Sequence, residues 1–289
     1  MSGRVCGSHS LCAVPVLVEA KPITPRMLRV RFAGPALAEF RAVSPDQQAK
    51  FFFAKPGQHR PVVPPMPADG DVMTWFQAYR AMPEAERPWM RSYTIRRHHA
   101  DRDEIDVDFV LHEHGAGPAT RWALRAGPGD PVGMLGPAVA HHVQVGPHEW
   151  RLLAGDESAL PAIGALLEAG PAVPTVAFVE VADAREEQPL PGQVHWLHRD
   201  GAAAGQPGLL LDAVRAAALP AGPAFAWVAG EASAVRALRR HLVGERGIPL
   251  GQVAFCGYWR SRRGQDDELT EEDAAERAEV LAALAEQGR

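Results

Sequence analysis

A change of sequence pattern near residue 148 constrains the fold more than any other feature of this chain. Before it, short runs with alternating or β-branched residues are separated by glycine, proline and aspartate, which is typical of β-strands joined by turns. After it, short apolar strands alternate with amphipathic helical segments. A chain that changes pattern in this way is expected to fold as two domains, which also suits its 289 residues.

The first half predicts an antiparallel β-barrel, because closing many short strands into a barrel removes exposed sheet edges. The clearest alternation of polar and apolar residues is Ile105–Phe109. A proline-rich insertion occupies residues 56–88 and contains one short predicted helix, Val72–Ala81. The predicted strands are Val14–Glu19, Met27–Phe32, Lys50–Phe53, Tyr93–Arg96, Ile105–Leu111 and Pro131–Leu135.

The second half predicts a parallel sheet with helices on its faces, since helical patterns follow most of its strands. Sheets of this kind bind ligands at the carboxyl ends of their strands. The predicted strands are Leu152–Ala154, Val176–Val181, Val194–Leu197, Phe225–Ala229 and Val253–Cys256. The predicted helices are Leu160–Glu168, Leu209–Ala218 and Ala232–Glu245.

These patterns divide the chain into three segments. Residues 10–146 are expected to form the barrel, residues 147–265 the α/β domain, and residues 266–289 a C-terminal helix packed on the body. The start of that helix is well defined, because Thr270 and Asp273 have capping-box spacing. A partner-binding arm is the alternative interpretation of this last segment.

Charge and cysteine usage exclude several classes of function. The formal net charge of −5 disfavours a general nucleic-acid binder, which needs a basic surface. Cys6, Cys12 and Cys256 form neither a CxxC pair nor an even disulfide set, which indicates a reducing compartment. The apolar run Leu11–Val18 is interrupted by Pro15 and is too short for a signal peptide or a membrane span. A cytoplasmic protein without membrane insertion is therefore expected.

The tetrapeptide Arg91–Thr94 is the first candidate for a binding site. On a strand, Arg91 and Tyr93 face one side, whereas Ser92 and Thr94 face the other. An arginine can bind a pyrophosphate through two hydrogen bonds, and a tyrosine offers a flat ring and a hydroxyl group. These side chains suit a flavin. For such a tetrapeptide alone, an exposed strand with a satisfied tyrosine is the commoner outcome.

A glycine turn that opens a helix is the second candidate. It lies within His112–Ala123, where Gly117 precedes Pro118, a residue that suits the first helical turn. The backbone N–H groups of Ala119 and Thr120 would then point at an anion such as a diphosphate. The segment matches neither the dinucleotide glycine fingerprint nor a P-loop, so a helix start without a ligand stays open as well.

The third candidate is Ala154–Ile163, which follows the first strand of the second half and opens its first helix. Ser158 is expected to be the N-cap of that helix, with Pro161 in its first turn. Asp156 and Glu157 lie beside a strand end, from which carboxylates could reach a ribose or a flavin edge. Helix capping without a ligand is the alternative.

Histidine spacing does not predict a metal site. His112 and His114 lie two residues apart on a predicted strand and would share a face, whereas His195 and His198 would face apart. Neither pair has a third ligand in an evident pattern such as HExxH. Solvated or flavin-facing histidines are therefore expected, and no metal bound by the protein.

Five motifs, in order along the chain, together resemble the siderophore-interacting protein family, whose members are FAD-containing ferric-siderophore reductases. The resemblance runs from about residue 14 to residue 263. It implies a ferredoxin-reductase-like architecture, in which an FAD-binding barrel precedes a nicotinamide-binding α/β domain. The motifs are Arg91–Thr94, the run Asp108–His112 leading into Gly117–Ala123, Gly155–Ala162, Gly230–Ser233 and Gly257–Arg260.

The resemblance also implies roles for individual residues, with the flavin as the reactive group and no catalytic side chain. Asp156, Glu157, Ser158 and Ala159 would approach the flavin from the second domain. The other cofactor-binding residues that it implies are Arg91, Ser92, Tyr93, Thr94, Asp108, Val110, His112, Gly117, Pro118, Ala119, Thr120, Tyr258 and Trp259. Arg260 belongs to the family's closing motif near the mouth of the site, and with Lys50, Arg262 and Arg263 it is a candidate basic contact for the substrate.

The implied activity is transfer of electrons from NADH, NADPH or ferredoxin through FAD to ferric iron held in a siderophore. Two alternatives stay open: an NAD(P)H-dependent flavin or quinone reductase on the same scaffold, and a siderophore carrier without catalysis. The sequence departs from the family after Gly136-Pro137, where Ala138 stands in place of a basic residue that the family often has. The insertion at 56–88 is also long, and it could reshape the substrate entrance.

Overall fold

Two compact units, Met1–Ala140 and His141–Arg289, make up the chain. The computed structural model describes residues 11–111, 117–138, 145–170, 173–206 and 208–261. The predicted C-terminal helix, His112, His114, Arg262 and Arg263 lie outside these ranges. Within them, no helix combines the length and the apolar character that crossing a bilayer requires.

The N-terminal unit consists of two four-stranded sheets in which all neighbouring strands are antiparallel. One sheet has the order β1-β8-β4-β5 and the other has the order β2-β3-β7-β6. The antiparallel architecture predicted for the first half is therefore confirmed. The strands are β1 Leu11–Ala13, β2 Val16–Thr24, β3 Met27–Ala33, β4 Gln48–Phe53, β5 Trp89–Thr94, β6 Arg97–His99, β7 Glu104–Val110 and β8 Gly133–Ala138.

Aromatic side chains fill the space between the two sheets. Phe51 of β4 and Phe32 of β3 lie with their ring centroids 5.6 Å apart. A helix, α2 (Pro118–Arg125), places Trp122 against Phe32 and Phe53 at 5.8 and 5.5 Å. Each fully buried phenylalanine contributes about 1.5–3 kcal/mol to the free energy of unfolding. This shared core holds α2 firmly against the strands.

The strand predicted as Tyr93–Arg96 is wrong in its bounds, since β5 begins at Trp89 and ends at Thr94. The chain leaves one sheet for the other directly after it. Ile95 still donates its N–H to Gln47, but Arg96 donates to Asp106 in the second sheet. Alternation of side chains does not reveal such a crossing, because the backbone stays extended through it.

The insertion at 56–88 covers the outer face of β4. Its helix, α1 (Val72–Ala81), has the predicted bounds, and Asp71 caps it by accepting hydrogen bonds from the first turn. Trp75 and Tyr79 pack on Phe52, each with a ring centroid separation of 5.4 Å. The indole N–H of Trp75 donates to the carbonyl of Pro64 at 2.7 Å. The insertion is therefore a packed layer with its own aromatic cluster.

The C-terminal unit is a five-stranded parallel sheet with the order β11-β10-β9-β12-β13. The strands are β9 Trp150–Asp156, β10 Thr175–Val181, β11 Gln193–His198, β12 Ala224–Glu231 and β13 Val253–Trp259. The helices are α3 Leu160–Glu168, α4 Leu209–Ala216 and α5 Ala232–Arg240. In sequence order this is 3-2-1-4-5, so the topological switch point lies between β9 and β12. The parallel sheet predicted for the second half is confirmed.

Three helix details differ from the sequence prediction. The helix predicted as Leu209–Ala218 ends at Ala216. The N-cap of α3 is Ala159 and not Ser158, because Ser158 belongs to a turn in which its N–H and hydroxyl both donate to Asp156. The helix predicted as Ala232–Glu245 ends as an α-helix at Arg240 and continues as a π-helical turn, His241–Glu245. Ser158, which suits a helix cap by its sequence position, thus donates its hydrogen bonds to the buried carboxylate of Asp156 instead.

Candidate functional site

In the N-terminal unit, β5 lies at the edge of its sheet, with β4 on one side. Its residues Trp89, Arg91 and Tyr93 stand opposite Phe53, Phe51 and Ala49 of β4, which places these three side chains on the core-facing side. The other side of β5 carries Ser92 and Thr94. The predicted alternation of the tetrapeptide is therefore observed, on a strand whose second edge pairs with no strand of the described ranges.

Tyr93 is held by two aromatic neighbours. Its ring centroid lies 4.4 Å from that of Phe109 and 6.1 Å from that of Phe51. Burial raises the pKa of the Tyr93 hydroxyl well above its ordinary value, although the positive charge of Arg91 opposes this shift. The hydroxyl therefore stays protonated over the physiological range and can donate a hydrogen bond to a ligand.

Thr94 carries the clearest sign of an external partner. The residue is 5 % exposed, and its hydroxyl oxygen is buried without a hydrogen-bond partner in the described parts of the chain. A buried hydroxyl in this state costs about 1–3 kcal/mol. A ligand lying along β5 would remove that cost by hydrogen bonding to Thr94.

On the outer side of β5, Lys50 of β4 donates a hydrogen bond to the hydroxyl of Ser92, with 2.6 Å between nitrogen and oxygen. The two residues are directly paired across the strands. This contact fixes an ammonium group next to the candidate site. The structure thus brings Lys50, predicted as a substrate contact, together with the predicted flavin strand.

The helix start predicted at Gly117–Thr120 is confirmed. Gly117 is the N-cap of α2, and Pro118 is its first residue. The hydroxyl of Thr120 donates to the carbonyl of Val110 at 3.4 Å, which ties the helix start to the end of β7. The first N–H groups of an α-helix have no partner within the helix, and the helix dipole adds a partial positive charge there. The arrangement suits an anion.

Asp108 takes a different place from the other predicted cofactor residues. Its buried carboxylate accepts two hydrogen bonds from Arg29 at 2.7 and 2.8 Å, and Arg96 lies 3.9 Å away. These arginines occupy the side chain, whereas Phe109 on the opposite face of β7 contacts Tyr93. Any contact of Asp108 with a flavin stays a prediction.

In the C-terminal unit, a buried carboxylate joins the strands at the switch point. Asp156, at the end of β9, accepts hydrogen bonds from the backbone N–H of Glu231 and the indole N–H of Trp259, both at 2.8 Å. Its second oxygen accepts from Ser158. Gly230 has a φ of +142°, and a Cβ there would lie 2.7 Å from the Asp156 carboxylate. The carboxylate therefore depends on a glycine beside it.

Burial is the main reason why the pKa of Asp156 is raised, and the neighbouring charge of Glu157 adds to the shift. Glu157 itself forms a two-bonded ion pair with Arg199, at 2.6 and 2.7 Å. Arg199 also lies 3.3 Å from Glu180 at the end of β10, and burial raises the pKa of that carboxyl. One arginine thus balances two acids at the carboxyl edge of the sheet.

Replacing Arg199 by methionine is expected to make stability depend on pH. The change leaves Glu157 and Glu180 without their cation, which raises the pKa of the buried Glu180 further and costs about 3 kcal/mol at pH 7. A buried carboxyl with a raised pKa destabilises the fold less once it is protonated. The decrease in the free energy of unfolding caused by Arg199→Met should therefore become smaller as the pH is lowered from 7 to 5. Urea unfolding at both values measures this, with Arg240→Met, at an exposed arginine in the last turn of α5, as control. An equal loss at both values contradicts the ion-pair account.

The predicted closing motif contributes to the same cluster. Trp259 donates to Asp156, the backbone N–H of Ser261 donates to Glu231, and the ring of Tyr258 meets Trp227 edge-on at 6.3 Å. Sequence reasoning missed Arg199 and Glu180 and gave Glu231 no role. The sequence could have revealed these three residues by one feature: each is a charged residue inside or directly after an apolar strand. Charged residues are seldom buried in such a place unless they are paired. Within the described ranges, no group of histidine, cysteine and acidic residues has metal-binding geometry.

Comparison with known proteins assigns the family. The family model "Siderophore-interacting FAD-binding domain" matches residues 16–141, and "Siderophore-interacting protein" matches residues 148–262. The chain is 34% identical over 263 residues to a ferric vibriobactin reductase of Vibrio cholerae, covering 89% of this chain and 91% of that one. It is 30% identical over 243 residues to an NADPH-dependent ferric-chelate reductase of Escherichia coli, covering 81% and 87%.

Among solved structures, a siderophore utilization protein from T. fusca matches with a TM-score of 0.78 and 34% identity, covering 91% of this chain and 98% of that one. Ferredoxin reductases share the fold at lower identity. The chain therefore belongs to the siderophore-interacting protein family, as its motifs predicted, and has the ferredoxin-reductase-like architecture. Its N-terminal unit is an FAD-binding domain, and FAD is the cofactor that Arg91, Tyr93, the unpartnered Thr94 hydroxyl and the start of α2 fit.

Proposed function

We propose that this chain reduces ferric siderophores by means of FAD. The observation that carries the proposal is the buried hydroxyl of Thr94, which lacks a partner in the described chain and lies on the edge strand that also carries Arg91 and Tyr93. The names of relatives from two organisms, both ferric reductases, support the substrate class. When bound, FAD supplies the chemistry of accepting two electrons and passing them on singly to iron.

The residues of the N-terminal unit hold and orient the cofactor in this proposal. Arg91 binds the diphosphate, together with the N–H groups of Ala119 and Thr120 at the start of α2. The protonated hydroxyl of Tyr93 donates a hydrogen bond, and Thr94 gives its hydroxyl to the flavin edge. No side chain has to act as a general base, since electrons and not protons are passed to the iron.

NADH or NADPH is the proposed electron donor, with ferredoxin as the alternative. A dinucleotide would bind at the carboxyl edge of the parallel sheet, beside the switch point at Asp156 and Gly230. The name of the relative from E. coli supports NADPH as a donor in the family. The roles of Glu157, Ser158 and Ala159 toward the flavin are part of the proposal, and so are those of Tyr258 and Trp259.

The substrate reaches the protein with its iron already chelated, so the protein itself needs no metal ligands. Lys50 and Arg260 are the proposed contacts among the described residues, and Arg262 and Arg263 are proposed on the sequence alone. Lower charge on the reduced iron weakens its hold on hard oxygen ligands, which releases it from the chelator. We propose that the reaction takes place in the cytoplasm.

One observation favours a second candidate function, an NAD(P)H-dependent flavin or quinone reductase. Ala138 stands at the end of β8, where the family often has a basic residue that attracts an anionic siderophore. A substrate without negative charge would not need that residue. The two candidates share the cofactor and the donor and differ only in the electron acceptor.

Stopped-flow reduction of the FAD-loaded protein tests the donor and the cofactor. Mixing with NADH, NADPH and reduced ferredoxin in parallel is expected to bleach the flavin absorbance fastest with one of the two nicotinamides. A protein that takes up no FAD contradicts the proposal. The second candidate, a flavin or quinone reductase, is favoured if the flavin bleaches fast and is then reoxidised by quinone but not by a ferric hydroxamate or catecholate. A flavin that no donor reduces points to a siderophore carrier without catalysis.

A further inference from the structure

Trp89, the first residue of β5, has two cations at its ring. The Lys55 ammonium nitrogen lies 4.8 Å from the ring centroid, and the Arg121 guanidinium carbon lies 5.8 Å from it. The indole packs partly on the core, and it is half-buried. Lys55 follows β4, and Arg121 belongs to the first turns of α2. An aromatic ring with two flanking cations therefore lies where three elements of the N-terminal unit meet.

The position of Trp89 along β5 defines its relation to the cofactor. Trp89, Arg91 and Tyr93 share one face of the strand, at two-residue intervals. Strand residues rise by about 3.3 Å each, so Trp89 lies roughly 7 Å beyond Arg91, on the side away from Tyr93. If the flavin ring lies at Tyr93 and Thr94 and the diphosphate at Arg91, the rest of FAD continues toward Trp89.

We propose that Trp89, flanked by Lys55 and Arg121, binds the adenylate half of FAD. The proposal rests on the flavin site argued above, and it assigns a task to three residues to which the sequence motifs gave none. The indole offers a flat surface on which an adenine ring stacks, as bases do on aromatic side chains. Lys55 and Arg121 have long side chains. The apolar stem of each can stay beside the indole ring while its charged end reaches the adenosine phosphate.

The charges agree with this assignment. FAD carries its two negative charges on the diphosphate, and the α2 start, Arg91, Lys55 and Arg121 would surround that group with positive charge. FMN has the ring and one phosphate but no adenosine. The proposal therefore predicts that Trp89 contributes to the affinity for FAD and hardly at all to the affinity for FMN.

Titration of the apoprotein with FAD and with FMN, followed by flavin fluorescence, tests the proposal. Trp89→Ala is expected to weaken FAD binding about tenfold or more, which is the usual effect of removing one stacking ring, and to leave FMN binding within about twofold. Trp89→Phe should retain most of the FAD affinity. Lys55→Gln and Arg121→Gln should weaken FAD binding about threefold to tenfold, and more at low salt than at high salt.

The controls separate this role from a structural one. Trp196→Ala, in the other unit, and Lys21→Gln, on the exposed part of β2, should change neither affinity. Equal losses of FAD and FMN affinity in Trp89→Ala overturn the proposal, because they indicate a disturbed fold. Where FMN binds too weakly to measure, calorimetric titration with ADP decides: an ADP affinity equal in wild type and Trp89→Ala overturns it.

The outcome is distinguishable from a failure of the proposed function. A wild-type protein that takes up no FAD overturns both the cofactor assignment and this inference. A wild-type protein that binds FAD normally and a Trp89→Ala variant that binds it equally well overturn this inference alone. Loss of ADP and FAD affinity together, with FMN affinity retained, supports it whichever acceptor the enzyme reduces.

Discussion

Arg91→Ala is expected to yield a nearly colourless protein whose affinity for FAD is lower by about a hundredfold, since two charge-assisted hydrogen bonds to a diphosphate are worth about 2.7 kcal/mol together. Arg91→Lys should recover part of that affinity, because a lysine keeps the charge but not the two-pronged geometry. Equilibrium titration of the apoprotein with FAD, followed by flavin fluorescence, measures both effects.

Arg80→Ala is the matched control for this experiment, since Arg80 is an exposed arginine in the last turn of α1. Its removal should leave FAD affinity and the urea midpoint unchanged. Thermal unfolding of apo Arg91→Ala should stay close to that of the wild-type apoprotein, which separates loss of the ligand contact from loss of the fold. Full FAD affinity in Arg91→Ala would contradict the assignment of the diphosphate to this arginine.

The second large effect is expected from Asp156→Ala. The change leaves the backbone N–H of Glu231, the indole N–H of Trp259 and the Ser158 groups without their acceptor at the switch point of the sheet. Buried donors that lose a partner cost about 1–3 kcal/mol each, so the free energy of unfolding should fall by about 4 kcal/mol. Urea unfolding of the C-terminal unit's tryptophan signal measures the loss.

Asp212→Ala is the control for Asp156→Ala, because Asp212 lies in the first turn of α4 with its side chain 73% exposed. It should change the free energy of unfolding by less than about 0.5 kcal/mol. Asp156→Asn should also destabilise the unit strongly. The NH2 group of the asparagine side chain would replace one of the two acceptor oxygens and would point at N–H or O–H groups that need an acceptor. A loss below about 1 kcal/mol in Asp156→Ala would show that the carboxylate does not hold the strand ends together.

Much of the fold follows from local pattern alone. The helices Val72–Ala81 and Leu160–Glu168 have the predicted bounds, because each has a clear capping residue or proline at its start and an apolar face along its length. The order of strands and helices in the second half was enough to predict the parallel sheet. The short strand Arg97–His99 was not predicted, since three residues carry too little alternation to recognise.

The two faces of the candidate flavin strand were predictable, because one short motif specifies them. Arg91–Thr94 contains the cation, the ring and the hydroxyls, and the strand geometry alone distributes them on two faces. The cluster at Asp156 was not predictable in the same way, because its partners Arg199, Glu180 and Glu231 come from separate strands. Ser158 shows that a local choice can also be misjudged: its sequence position suits a helix cap, but the carboxylate of Asp156, two residues earlier, accepts its hydrogen bonds.

Trp89 was overlooked for a related reason. The strand was predicted to begin at Tyr93, which left Trp89 outside it, and only the folded chain brings Lys55 and Arg121 to the Trp89 ring. Cation contacts between distant segments leave no spacing pattern in the sequence. Positions of this kind are found from the structure, and their meaning is then tested by binding.

Anaerobic oxidation of the reduced protein by a ferric siderophore tests directly whether the flavin passes its electrons to chelated ferric iron. The FAD-loaded protein is reduced photochemically to the two-electron state, freed of donor, and mixed with a ferric hydroxamate or catecholate in the presence of a ferrous-iron chelator. If the protein is a ferric-siderophore reductase, the flavin absorbance returns while two ferrous ions appear for each FAD. A flavin that stays reduced beside intact ferric siderophore, and is reoxidised by quinone, would contradict it.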